Sequence, residues 1–451
     1  MGQLDLTTLS AILGDEVVEL PDESHTRPAS GLATHTGRLR PGDAFVALSG
    51  EHTHGIVHAD AALGAGAPFL ISDRPHPRAL RVRDSTVALM RLGRHARDQH
   101  RGPVVAITGS VGKTTTKTLQ GAALAARTSP GNINTPAALA CVLIDAWLHD
   151  PAERSLVVEL GIDRPGEMAL LLSLVRPSHG ILTTVSEAHL AGLGSLATIA
   201  REKSLILDAA ASGRYAGEGA WPHLAEHQRA VTTLVSLGAG TPGGSFDARA
   251  RRLDARLRSP TGDPLEVAVS LPGLGAPVAH AALLALQVAL DLGVSVDLAA
   301  LRVSSAELEA RRLQLRELGA LVLLDDTYNA NPTSMHAALE VLLQLPGPHA
   351  AVLGDMRELG ERSISAHQEL GRTVSQSGVT EVWFVGNESL AAFEAASALP
   401  RRHHLWHVEA LINKRNELPD RGSLLVKGSR SLGLERLVDA LVDRSATAVA
   451  P

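Results

Sequence analysis

The chain carries one cysteine, Cys141, in 451 residues. A single thiol excludes an internal disulfide framework and fits a reducing compartment. Aromatic residues are scarce too, at 2%, so the cores must be built from Leu, Val and Ala, and a base-stacking nucleic-acid platform is disfavoured. Positive charge is not in excess. The net charge of −6 gives no support for a nucleic-acid surface, although a phosphate-binding cleft needs only local positive charge. Long apolar runs are absent. The longest, near Val278 to Val294, is interrupted by His280, Gln287 and Asp291 and is too short to span a bilayer. The opening residues, Met-Gly-Gln-Leu-Asp-Leu, lack the basic start and apolar stretch of a secretory signal. No Gly-x-Gly-x-x-Gly follows a strand pattern, so no dinucleotide site is inferred. There is no internal repeat, and the only biased stretch is the polar, Ala-rich tail from Ser445. We therefore expect a soluble, cytoplasmic protein. The 45% apolar content supports large cores, and the length suggests about three domains at ~150 residues each.

The most informative stretch is Val104-Val-Ala-Ile-Thr-Gly-Ser-Val-Gly-Lys-Thr-Thr-Thr116. Its apolar, partly β-branched start predicts a buried strand. The chain then turns through Gly109 and Gly112, and Lys117 to Ala126 can continue as a helix. Strand, glycine loop, Lys-Thr and helix form a P-loop, whose backbone N–H groups and helix N-terminus wrap a phosphate. Lys113 is expected to reach the β/γ-phosphates, and the Thr114 hydroxyl to bind Mg²⁺. Ile107 stands where the strict pattern has its first glycine, so the loop is a variant.

Residues 1–100 read as a small α/β unit. Asp43-Ala-Phe-Val-Ala-Leu and Pro68-Phe-Leu-Ile-Ser are strands, and Ala59 to Gly66 is a helix. His52, His54, His58 and Asp60 lie on a glycine-containing loop without fixed ligand geometry, and we expect solvated histidines there rather than a metal centre. From 101 to 310 strands alternate with helices. Glu159 ends the strand beginning at Leu156, and His189 follows the strand beginning at Gly180. Both, with the P-loop, fall at strand carboxyl ends, where parallel sheets bind ligands. The apolar context of Glu159 favours a metal role over a surface pair, and His189 becomes a candidate ligand beside it. The segment Arg229 to Ser270 reads as irregular hairpins, with its basic residues on a solvated strand face.

From 311 to 451 the β/α alternation predicts a Rossmann-like, doubly wound unit. Leu321-Val-Leu-Leu-Asp-Asp is a strand ending in two acids. Tyr328-Asn-Ala-Asn-Pro follows, and Thr333 or Ser334 is the expected cap of a helix from Met335 to Leu345. The whole chain is thus expected to be α/β in three domains: a small N-terminal unit, a central P-loop parallel sheet, and the Rossmann-like C-terminal unit.

These motifs resemble the Mur ligases, most closely the branch that adds D-alanyl-D-alanine. The resemblance rests on Thr108-Gly-Ser-Val-Gly-Lys-Thr-Thr, Gly131-Asn-Ile-Asn-Thr-Pro, Glu159-Leu-Gly-Ile-Asp-Arg-Pro-Gly-Glu, Ala188-His-Leu and Glu202-Lys203-Ser. Asp325-Asp-Thr-Tyr-Asn-Ala-Asn-Pro-Thr-Ser-Met, Gly354-Asp-Met-Arg-Glu-Leu-Gly and Lys427-Gly-Ser-Arg complete it. It implies an ATP- and Mg²⁺-dependent ligase that joins D-alanyl-D-alanine to UDP-N-acetylmuramoyl-tripeptide through an acyl phosphate, and a monomer that needs neither nucleic acid nor membrane insertion.

By the same resemblance, the first unit holds the UDP end of the substrate and the third closes over the ATP cleft. Thr108, Gly109, Ser110, Val111, Gly112, Lys113, Thr114 and Thr115 form the phosphate loop, and Lys113, Glu159, His189 and Lys203 the catalytic set. Thr114 and Glu159 bind a first Mg²⁺, His189 a second, and Lys203 serves as a carbamate ligand. Asn132, Asn134, Lys427 and Arg430 meet the peptide substrate or phosphate. Arg312, Asp326, Tyr328 and Asn329 contact the nucleotide.

The chain departs from the family pattern at Thr36-Gly37-Arg38, at Gly213 to Gly219, at Pro277-Val278 and at Leu205. The first and third of these fall where relatives frame uracil and adenine. Without the resemblance, Lys203 reads as an exposed helix lysine beside Glu202. The competing functional readings are a related ligase with another amino substrate, including the folylpolyglutamate type, a catalytically silent binding relative, and a P-loop regulatory NTPase.

Overall fold

Parallel strands need helical crossovers, and the apolar runs of this chain deliver them in three successive sheets. The computed structural model describes residues 2–22, 26–50, 52–131, 134–248 and 250–449. The first sheet has five strands in the spatial order Val17–Glu19, Ala79–Val82, Leu70–Ser72, Asp43–Ala47, Gly31–Ala33, and only Val17–Glu19 runs antiparallel. The second is parallel throughout: Thr233–Val235, Gly213–Gly217, His179–Leu182, Val104–Thr108, Leu156–Glu159, Arg127–Thr128. The third unit carries six strands in the order Gln314–Leu318, Leu321–Asp326, Gly422–Lys427, His349–Gly354, Glu381–Val385, Arg402–Leu405. Its first strand is antiparallel. The chain is therefore α/β with three sheet-centred units, as its sequence pattern predicts.

The strand Val104–Thr108 is buried at every position and sits inside the second sheet, flanked by His179–Leu182 and Leu156–Glu159. This sets the phosphate loop, Glu159 and the residues after Leu182 side by side at one sheet edge. The helix Ser85–Gln99 of the first unit packs on Pro136–His149 of the second, with Gly93 so close that a Cβ there would lie 2.8 Å from that of Ala140. Leu4, Leu32, Phe69 and Leu89 share one continuous core with Val104, Leu139, Leu143 and Leu171. The third sheet is covered on its two faces by separate cores, one around Leu339, Leu353 and Phe384, the other around Val352, Trp383 and Leu437.

Four local expectations are corrected. The stretch expected as irregular hairpins contains a regular three-stranded antiparallel sheet, Gly243–Asp247, Arg252–Arg258 and Pro264–Ser270. In its middle strand Leu253, Ala255 and Leu257 point inward while Arg252, Asp254, Arg256 and Arg258 face solvent, so the basic residues do form a solvated face. The helix expected from Met335 starts earlier, as Pro332–Leu343. Its cap is Asn331, whose side chain accepts the Ser334 N–H at 2.8 Å while Ser334 Oγ accepts the Asn331 N–H at 3.0 Å. This reciprocal pair satisfies two helix-end donors at once, which neither Thr333 nor Ser334 does alone.

His54 is not solvated. It is buried, with Nε2 2.7 Å from Asp73 Oδ1 and Nδ1 accepting the Ile56 N–H at 3.0 Å, whereas His52 and His58 are exposed. Lys203, which without the resemblance reads as an exposed helix lysine beside Glu202, is fully buried on the helix Leu196–Ala209. The residue lies on the inner face that carries Ile199, Ala200, Ile206 and Leu207, a placement set by the helical period rather than by its charge.

Candidate active site

The phosphate loop is pinned to the segment after His179–Leu182. Ser110 N–H donates to Thr184 O at 2.9 Å, Val111 N–H to Thr184 Oγ1 at 2.9 Å, and Ser110 Oγ to Ser186 O at 2.9 Å. Thr183 Oγ1 donates to Val111 O at 2.6 Å, and Thr108 Oγ1 to Leu160 O at 2.7 Å. Gly109, at φ 152°, leaves no room for a Cβ beside Thr183 Oγ1, and Gly112, at φ 86°, precedes the helix Lys113–Leu124 in a left-handed conformation. The loop is thus held open by its neighbours, with a helix N-terminus facing the cleft.

Lys113 Nζ donates to Gly109 O at 2.8 Å, and burial pushes its ammonium pKa down from the ordinary lysine value. Thr114 Oγ1 donates to Glu159 Oε2 at 2.9 Å, with both side chains buried. His189, at φ 59°, brings Nδ1 to 2.9 Å from Asp163 Oδ1 and 2.6 Å from Glu358 Oε2. Neither oxygen lies in line for a directed hydrogen bond at Nδ1, so these are close charge contacts. Asp163 and Glu358 raise the histidine pKa, while His189 holds Asp163 below the usual carboxylate range. Asp163, His189 and Glu358 form the one group of three or more acidic, histidine or cysteine residues, among those described, with ligand atoms mutually within 4.8 Å. Lys203 Nζ is buried without a hydrogen-bond partner, and burial, aided by Lys113, pushes its pKa down to about 7.

The third unit supplies the opposite wall. The Arg312 guanidinium lies 3.8 Å above the Tyr328 ring centroid, and that of Arg430 lies 5.3 Å from it. Asp326 accepts from Lys427 Nζ at 2.6 Å and from the Leu313 N–H at 3.2 Å, while Asn329 O accepts from Lys427 Nζ at 2.8 Å. Lys427 is accordingly buried inside this unit. Glu358 O accepts the Ala191 N–H at 3.0 Å, and Arg362 donates to Glu187 Oε2 at 3.0 Å, so the third unit is closed on the second.

One cavity of about 220 Å³ unites these parts. Ser110 to Thr115, Asn134, Glu159, His189, Arg312, Asp326, Tyr328, Asn329 and Lys427 line it, together with Pro277 and Val278. Thr108 and Gly109 lie beneath the loop, and Arg430 is exposed at the rim of the Tyr328 stack. Lys203 is not among the lining residues, and Lys113, Asp163 and Glu159 are its charged neighbours. Asn132 falls outside the described residues. Asp163, Arg357 and Glu358 belong to motifs legible in the sequence, yet no spacing rule gave them a role. Their signal is positional: Glu358, at φ 66°, and His189 are two of the few non-glycine residues with positive φ, the kind of strain that collects at functional sites. A second cavity, of about 600 Å³, lies between the first two units, lined by His35, Arg38, Arg40, Arg127, Cys141 and Asp145 among others.

Residues 107–217 match the family model of the Mur ligase middle domain, and residues 311–430 that of the Mur ligase glutamate ligase domain. The chain is 32% identical over 444 residues to UDP-N-acetylmuramoyl-tripeptide–D-alanyl-D-alanine ligase of Escherichia coli, covering 91% of this chain and 93% of that one. A crystal structure of MurF from Acinetobacter baumannii superposes with a TM-score of 0.84 at 28% identity, covering 98% and 99% of the two chains. The MurF ligase from Thermotoga maritima in complex with ADP gives 0.77 at 26% identity, covering 95% and 100%.

Proposed function

The chain belongs to the Mur ligase family, and from that premise we propose how its cleft works. It is an ATP-dependent, ADP-forming ligase that adds D-alanyl-D-alanine to UDP-N-acetylmuramoyl-tripeptide in peptidoglycan precursor synthesis. A peptide carboxylate is too poor an electrophile to take an amine directly. Its oxygen attacks the γ-phosphorus of ATP, ADP leaves, and an acyl phosphate forms. The amine of D-alanyl-D-alanine then attacks that carbonyl carbon, phosphate leaves with the C–O bonding pair, and the ammonium proton passes to solvent. Both steps concentrate negative charge, so fixed cations and positioning dominate catalysis.

The observation that carries this reading is the convergence, in one cavity, of the phosphate loop, Glu159, His189 and the Arg312–Tyr328 stack from the third unit. Lys113 neutralises the β/γ-phosphates, while Arg312 and Tyr328 hold the nucleoside side, with Pro277 and Val278 as an apolar floor for the base. Asn134 orients the peptide, whose UDP end takes the cavity lined by Arg38, Arg40 and Arg127. Asn132 joins Asn134 on the peptide, and Asp326, Asn329, Lys427 and Arg430 complete the contacts from the third unit. We take the units to be residues 1–100, 101–310 and 311–451.

The donor set fits Mg²⁺. Thr114 and Glu159 are hard oxygen donors already in contact, and the His189 Nδ1 and Lys203 Nζ atoms are buried without directed partners. Thr114 and Glu159 would hold one ion, and His189 with Lys203 the other. Bound Mg²⁺ supplies charge neutralisation at the phosphates. A bare ammonium at Lys203 would repel a cation. With a pKa near 7 its neutral amine adds to CO₂, releasing one proton and leaving an anionic carbamate. We take the protein to work as a monomer in the cytoplasm, as the family resemblance implies; no helix among the described residues is long and apolar enough to cross a membrane.

The decisive experiment measures phosphate release from ATP and Mg²⁺ with UDP-N-acetylmuramoyl-tripeptide, with and without D-alanyl-D-alanine. Release that needs both, with a pentapeptide product by mass, is expected. Release independent of both identifies a regulatory NTPase instead. No release from a folded, nucleotide-binding protein points to another amino substrate or to a silent relative.

A further inference from the structure

Lys117 is a buried cation that the mechanism above does not use. It lies one helical turn beyond Lys113, is 2% exposed, and its ammonium meets three separate stretches of chain. It donates to Gly131 O, lies 3.1 Å from Glu309 Oε1, and is 3.9 Å from Glu159 Oε2. Each contact belongs to a different working part. Gly131 lines the cavity assigned above to the UDP end of the peptide substrate. Glu159 is the partner of Thr114. Glu309 sits on the connector between the helix Val296–Ser304 and the strand Gln314–Leu318, where the chain passes into the third unit.

The connector is not slack. Arg311 and Leu313 hold φ values of 66° and 49°, left-handed conformations that non-glycine residues adopt only when their surroundings enforce them. Arg302, at the end of the helix before it, donates to Ala123 O at the far end of the same P-loop helix. The second oxygen of Glu309 is 3.8 Å from Arg312 Nε, and the Arg312 guanidinium covers Tyr328. One buried ammonium therefore joins the peptide-side segment to the residues on the nucleotide wall. The opposite charges of Lys117 and Glu309 compensate each other, so moving Glu309 away leaves the buried Lys117 ammonium to the more distant carboxylate of Glu159.

We propose that Lys117 and Glu309 are a positioning pair that couples binding of the muramyl-peptide to binding of the nucleotide. The proposal rests on the substrate reading above and goes beyond it. A peptide substrate seated in the cavity that Gly131 lines fixes Lys117, Lys117 fixes Glu309, and Glu309 fixes Arg312 over Tyr328. The nucleotide then meets a wall already arranged, and by reciprocity a bound nucleotide favours the peptide.

Calorimetric titration of the full chain tests this, using a non-hydrolysable ATP analogue with Mg²⁺, in the presence and absence of UDP-N-acetylmuramoyl-tripeptide. The wild type is expected to bind the analogue about fivefold or more tightly when the peptide is present. Glu309→Gln, at a partly exposed connector position, is expected to bind each ligand alone within about twofold of wild type and to lose the enhancement. Lys117→Arg keeps the charge and is expected to retain part of the enhancement. Lys117→Met brings Glu309 and Glu159 together without a cation, so the Glu309 variant is the primary test if that protein fails to fold. A purely structural pair would lower the melting temperature in Glu309→Gln and leave the enhancement intact, which overturns the proposal. Wild type that binds both ligands without enhancement overturns it too. Wild type that binds nucleotide but no UDP-N-acetylmuramoyl-tripeptide overturns the substrate reading, and the proposal falls with it.

Discussion

His189 Nδ1 lies 2.6 Å from Glu358 Oε2, so a side chain of the central unit meets one from the third across the cleft. The contact exists only while the two units are closed on each other, and Glu358 accepts a strained backbone to make it. Glu358→Gln is expected to lower kcat/KM for phosphate release by about tenfold or more. The melting temperature of the third unit should stay near wild type, because the Glu358 side chain is more than half exposed. Steady-state kinetics beside a thermal melt check this. Equal kinetics in both proteins would remove Glu358 from the reaction.

Lys113→Ala removes the cation at the head of the phosphate loop. We expect a loss of phosphate release of about a hundredfold or more, the scale of removing one preorganised charge-stabilising group. Lys113→Arg should not rescue it, since the Nζ packs within the loop against Gly109 O, where a planar guanidinium does not fit. Nucleotide titration with the same variants separates lost binding from lost chemistry.

Gly109→Ala puts a methyl group onto Thr183 Oγ1, at a φ of 152°. It should destabilise the fold by about 1–3 kcal/mol, the usual scale for overpacking, and misplace the loop. The double variant Gly109→Ala with Thr183→Ser keeps the hydroxyl and the clash, so it should not recover, whereas Thr183→Gly in the second position should recover part of the stability. Denaturant melts distinguish the two.

Lys203 sets a sign for the pH dependence of stability. Its folded pKa is about 7, below the unfolded lysine value of 10.5. Between those values the unfolded chain binds the extra proton, so stability rises with pH through this window. Below pH 7 the buried ammonium costs its full penalty. Compared with Lys203→Met, the wild type should therefore gain stability as pH rises from about 7 to about 10, in denaturant melts run without CO₂. Added bicarbonate should raise activity in the wild type and not in Lys203→Met. A flat difference between the two proteins across that range would return Lys203 to the ordinary lysines.

Much of the site was legible because its chemistry is local in sequence. The phosphate loop needs a strand, two glycines and Lys-Thr in one stretch, and Glu159 announces itself as a carboxylate ending an apolar strand. Lys203 was not legible from its own surroundings, because a Glu-Lys pair on a helix is the commonest solvated pattern; only the family match, and then its burial, set it apart. His54 shows the reverse error. Its neighbours are exposed loop histidines, but Asp73, 19 residues away, draws it inside. Asp163 and Glu358 escaped for the same reason: Asp163 meets His189 across the central unit and Glu358 reaches it from the third, and no periodicity encodes either contact. The cap of Pro332–Leu343 escaped because Asn331 and Ser334 act as a pair, which a search for a single capping residue divides.

The continuous core between the first two sheets, closed by Gly93 against Ala140, has a bearing on how such a chain can be rebuilt. The first unit cannot be exchanged without rewriting the face of Pro136–His149, because Leu139 and Leu143 would lose their cover. The third unit keeps nearly all of its own packing among the described residues, apart from Leu274 and the close approach of Gly275 to Val341 from the central unit. Recombination between relatives should therefore succeed at the connector and fail near residue 100. In chimaeras cut at the connector, the Arg312–Tyr328 wall would travel as a cassette while the phosphate loop and the UDP pocket stayed behind.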